Sequence, residues 1–90
     1  MDAAYYEDIA GRLRGLQIRL SDRLPADSHA LITEFIDHNE LGLALEQMAD
    51  LLAESEKPVS PDERTDMLTL AKTMEIERRV NQALALCHPA

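Results

Sequence analysis

Apolar positions recur along the chain in steps of three and four, the spacing that lines one face of an α-helix. Tyr6, Ile9, Leu13, Leu16 and Leu20 keep this step and predict a first helix over residues 3–23, with Asp2 as its N-cap. Arg12, Arg14, Arg19 and Arg23 flank the stripe, and Gly11 and Gly15 lie opposite it. Each glycine costs a helix interior roughly 1 kcal/mol relative to alanine. Two small residues four apart either permit a close helix approach, as in a dimer, or are tolerated on a solvated surface.

The stretch LPADSH breaks this pattern, because Pro25 disfavours helical geometry at Leu24. A second helix is expected over 26–38. It would bury Leu31, Ile32, Phe35 and Ile36 and turn Asp27, Ala30, Thr33, Glu34 and Asp37 outward. Asn39 is placed to N-cap a third helix over 40–55, whose stripe is Leu41, Ala44, Leu45, Met48 and Leu52. The stretch EKPVSPDE is the sharpest break in the chain. There Lys57 and Pro58 end the third helix, Ser60 and Glu63 form a capping box, and Pro61 takes the first helical position. A fourth helix follows over 61–73, burying Met67, Leu68, Leu70 or Ala71, and Met74. Ile76, Val80, Ala83, Leu84 and Cys87 mark a fifth over 75–87. The TMEIE between them holds neither glycine nor proline, so the pattern allows one continuous helix or two. The expected fold is all-α, a small bundle of four or five helices with short loops in one domain over 1–90.

Composition narrows the function. Ninety residues with 46% apolar content make one small globular domain rather than a disordered chain. Cys87 is the single cysteine, so no internal disulfide forms and no oxidising compartment is implied. The N-terminal residues MDAAYYEDIAGRLRG lack the apolar core of a secretory signal, and no apolar run reaches the ~20 residues of a membrane span. A cytoplasmic protein is expected.

Net charge is −8, and its placement is uneven. Residues 27–66 hold eleven acids against two bases, a balance of −9, whereas the rest of the chain carries +1. Such a field repels nucleic acid and anionic membrane surfaces, and it steers basic proteins toward the middle of the chain. Catalysis finds little support. His29, His38 and His88 do not pair with Ser or Cys in a nucleophile motif, and no phosphate-binding glycine loop or zinc spacing occurs. Glu34 and His38, four apart, begin a metal site that the sequence does not complete. A binding protein without a metal or cofactor is the expectation, and an enzyme is not.

The outer face of the third helix is the candidate binding surface. At about 100° per residue, Glu40, Glu46, Gln47, Asp50 and Glu54 all fall within about 60° of Leu43, which points away from the apolar stripe. Glu34 and Asp37 extend this acidic set onto the second helix. A solvated face with one stray leucine gives the same wheel, since single exposed leucines are common. A docking surface is the alternative, with an apolar anchor ringed by charge.

The segments EFIDHNELGLALEQMADLLAE and VSPDERTDMLTLAKTMEIE resemble the MafI-type immunity proteins of bacterial polymorphic toxin systems over about residues 34–77. The matching features are Asp37, Glu40, the Ala44-Leu45-Glu46 core, Leu51-Leu52, Glu54, Ser60 and Met74. Asn39 stands where the pattern has glycine, and Asn shares glycine's tolerance of left-handed backbone. The resemblance implies a protein that neutralises the C-terminal domain of a cognate toxin, often a nuclease and therefore basic. Glu34, Asp37, Glu40, Leu43, Glu46, Asp50 and Glu54 are the contacts expected for such a partner. A small intracellular adaptor or regulatory subunit, assembling through its apolar helices, is the alternative.

Overall fold

The computed structural model describes residues 3–87. Five α-helices carry them: α1 (Ala3–Arg19), α2 (His29–Asp37), α3 (Leu41–Ser55), α4 (Pro61–Thr73) and α5 (Glu77–Leu84). The fold is the small all-α bundle that the periodicity implies. No helix among the described residues is long and apolar enough to cross a membrane. The N-cap expected at Asp2 and the residue His88 lie outside the described residues.

α3 is the hub of the bundle and packs on all four other helices. Leu41, Ala44, Leu45, Met48 and Leu52 are buried, as their stripe requires, and Ala49 widens the buried arc. At the start of α3, a Cβ on Gly42 would stand in ordinary van der Waals contact with Cδ1 of Ile76, at 3.7 Å. One continuous apolar core results, to which α1 contributes Ile9, Leu13 and Leu16 and α5 contributes Val80, Ala83 and Leu84. Val59, in the loop before α4, is buried in the same core.

Several boundaries differ from the expected ones, each for a local reason. α1 ends at Arg19 rather than Arg23. Ser21 and Arg23 donate their backbone N–H groups only three residues back, to Ile18 and Leu20, so the chain tightens ahead of Pro25. Residues Ala26–Ser28 form a 3₁₀ turn, and α2 starts at His29. Leu31 was expected in the core but is 40% exposed. The buried face of α2 is narrow and centred on Ile32 and Ile36, and Leu31, about 100° round the helix from Ile32, falls on its exposed side.

Asn39 does not cap α3. It closes α2 in the left-handed region, with φ 58°. Asn39 N–H donates to the Ile36 carbonyl at 3.1 Å and Glu40 N–H to the Phe35 carbonyl at 2.8 Å, the paired bonds of a Schellman turn. The N-cap position falls to Glu40, whose side chain makes no capping bond. The same closure separates α4 from α5. Glu75 has φ 60°, its N–H donates to Lys72, and Ile76 N–H donates to Ala71 at 2.9 Å. α5 therefore begins at Glu77 rather than 75 and ends at Leu84, although Cys87 beyond it is still buried.

The start of α4 forms as the sequence prescribes and then gains a distant partner. Ser60 Oγ accepts from Glu63 N–H at 3.2 Å, and Glu63 Oε1 accepts from Ser60 N–H at 3.0 Å. Glu63 is only 8% exposed, and Arg23 grips both its oxygens, at 2.5 and 2.6 Å. The same guanidinium donates to the carbonyls of Pro58 and Arg19. One arginine thus ties the C-terminal end of α1 to the loop before α4. Chiefly through its hydrogen bonds to Arg23, with Ser60 assisting against the opposing effect of burial, the Glu63 carboxyl is pushed down to about 2.

Candidate functional site

The turn at Asn39 sets α2 and α3 side by side and brings Glu34, Asp37 and Glu40 to one corner of the bundle, from which Glu46, Asp50 and Glu54 run along α3. Glu34 and Asp37 are exposed on α2, and Glu40 is exposed at the junction. Leu43 faces outward from α3 with 48% of its surface accessible. Glu54 is exposed further along, while Glu46 and Asp50 are half-buried.

Two of these acids are not free charges. Arg79 of α5 donates to Asp50 Oδ2 at 2.6 Å, and Arg14 of α1 donates to Asp37 Oδ1 at 2.6 Å. The hydrogen bond and the charge of Asp50 raise the affinity of the Arg79 guanidinium for its proton, and Glu46 adds to the effect. The face that lacked cations in sequence therefore receives them from distant helices. Arg19 with Asp66 and Arg23 with Glu63 repeat the arrangement. Four arginines from outside residues 27–66 each neutralise one acid within it, so the charge contrast between centre and flanks is shallower in space than along the chain. Neither Arg14 nor Arg79 carries a local signal for its role, because their partners lie 23 and 29 residues away. Glu34, Glu40, Glu46 and Glu54 make no ion pair among the described residues.

A shallow depression of about 320 Å³ opens at the α2–α3 corner, lined by Leu31, Glu34, Phe35, His38 and Glu40. Leu31, displaced from the core, forms part of its apolar wall. Such a lining suits the aliphatic stem of a lysine or arginine, with carboxylates at hand for the charged end. Glu34 and His38 do share this depression, yet no group of three potential metal ligands is assembled among the described residues. Cys87 is no exposed nucleophile: it is buried, its thiol donates to the Ala83 carbonyl, and burial pushes its pKa up.

The chain matches no protein-family model, no curated protein and no solved structure.

Proposed function

We propose that this chain is a stoichiometric inhibitor of the immunity type, acting in the cytoplasm without catalysis of its own. It binds a basic, nuclease-type toxin domain through the α2–α3 face. Leu43 is the observation that carries this reading: a large apolar side chain, 48% exposed, one helical turn from Glu40 and Glu46, with Glu54 further along the same face, none of which has an ion-pair partner among the described residues. A nuclease presents lysine and arginine to phosphate. Unpaired carboxylates around an apolar anchor complement such a surface, the anchor excluding water while the charges steer and orient the encounter.

Within the face the residues have unequal parts. Glu34 and Glu40 meet cations at the α2–α3 depression, Glu46 stands one turn from Leu43, and Glu54 extends the acidic face toward the C-terminal end of α3. Asp37 and Asp50 contribute less, because each must first exchange an internal arginine for one from the partner. The test is co-expression with the toxin domain encoded beside this gene. The wild-type chain should restore growth, and the combined Glu40→Lys, Glu46→Lys and Glu54→Lys variant should not, while remaining folded by circular dichroism. Full protection by that variant would remove the acidic face from the mechanism. A neighbouring metabolic or regulatory operon, in place of a secreted protein with a variable C-terminal domain, would favour the adaptor reading.

A further inference from the structure

The outward face of α1 combines three features that the bundle itself does not use. Gly11 and Gly15 lie in the helix interior, yet among the described residues no atom beyond the adjoining backbone of α1 and the two chain neighbours stands within 4 Å of where a Cβ would be at either position. Their helix-weakening effect is therefore not offset by close packing inside the chain. Ile18, on the same face, is 74% exposed, the most accessible large apolar side chain among the described residues. Beside it a depression of about 330 Å³ opens between α1 and α4, lined by Gly15, Leu16, Thr69 and Leu70, with Arg12, Arg19 and Asp66 at its edges. The face thus carries an apolar projection and a cavity large enough to receive one, three residues apart.

We propose that a second copy of this chain docks here, α1 against α1 in antiparallel orientation, each Ile18 seating over the other's Gly15. Closed two-fold pairing needs a self-complementary surface. Antiparallel helices satisfy that by setting Ile18 opposite Gly15 twice, whereas symmetric parallel helices would set isoleucine on isoleucine. Charge selects the occupant. α3 bears Glu46, Asp50 and Glu54 without a base, but α1 bears Arg12, Arg14 and Arg19 against Glu7 and Asp8. A basic partner is drawn to α3, and an acidic chain of net charge −8 can approach its own kind most easily across α1. Arg14 and Arg19, which the pairing brings opposite each other, are already neutralised by Asp37 and Asp66.

Sedimentation velocity from low to high micromolar concentration tests this. The wild-type chain should shift from the monomer to the dimer mass, whereas Ile18→Glu and Gly15→Leu should remain monomeric with unchanged helical circular dichroism. Gly11→Ala combined with Gly15→Ala guards against misfolding as the explanation. It should raise the melting temperature of the dilute monomer while weakening the dimer by roughly tenfold or more, as a lost close helix approach implies. A wild-type chain that stays monomeric throughout, or a dimer that survives both Ile18→Glu and Gly15→Leu, would overturn the proposal.

Discussion

Arg23 and Glu63 form the least exposed ion pair among the described residues, and its energetics give a definite pH dependence. The Glu63 carboxyl sits at about 2 in the folded chain against an ordinary value of 4.5. A depressed carboxylate contributes stability that is fully present above 4.5 and drains away as pH falls toward 2. A gap of that size corresponds to on the order of 3 kcal/mol. Urea unfolding followed through this pH window should show the loss, and Arg23→Met should flatten it. At neutral pH that substitution should cost roughly 3–5 kcal/mol, because it strands a buried carboxylate. Glu63→Gln should flatten the same limb at a smaller cost of about 1–3 kcal/mol, since an amide oxygen can still accept from Ser60 N–H. The local half of this cluster was legible, because Ser60, Pro61 and Glu63 announce a helix start by spacing alone. Arg23 was not. It lies 40 residues earlier and looks like one of four flanking arginines until the fold brings it to Glu63.

At the level of elements, helix faces were easier to read than helix ends. The stripe of α3 is set by a period that the whole bundle reinforces, so Leu41, Leu45, Met48 and Leu52 go inside and Leu43 does not. The difference should appear as a contrast between two similar truncations. Leu45→Ala should destabilise the protein by about 2–5 kcal/mol in chemical denaturation, and Leu43→Ala should stay within about 0.5 kcal/mol. A large loss at Leu43 would place it in the core. Ends depend on single residues whose backbone tertiary contacts can override. Asn39 offered a hint, as a residue tolerant of the left-handed region, but Glu56 and Glu75 offered none and still adopt φ 57° and 60°. At Glu75 the Schellman bonds and the half-buried Ile76 after it outweigh the backbone strain. Glycine should relieve that strain. Glu75→Gly is expected to stabilise by about 0.5–1 kcal/mol, the left-handed penalty less the extra freedom glycine has when unfolded. Thermal melts of the two proteins side by side decide it.

Over the whole molecule, folding turns a chain with an acidic middle into a body with two unlike faces. The α2–α3 corner keeps unpaired carboxylates around Leu43, and α1 presents arginines balanced by nearby acids around Ile18. If these faces serve a basic partner and a second copy respectively, the two assemblies should be separable by charge. Association with the toxin domain should be steered by the corner's field, so its rate should fall with ionic strength. Neutralising Glu40, Glu46 and Glu54 to glutamine should slow it by roughly tenfold at low salt while leaving the dimer's sedimentation unchanged. Ile18→Glu should do the reverse, abolishing the dimer while leaving the toxin association rate intact. Stopped-flow association and sedimentation of both variants give a two-by-two comparison. An effect of Ile18→Glu on toxin association equal to that of the α2–α3 variant would mean the two faces act as one surface. In that event α1, and not the acidic corner alone, would have to be in contact with the partner.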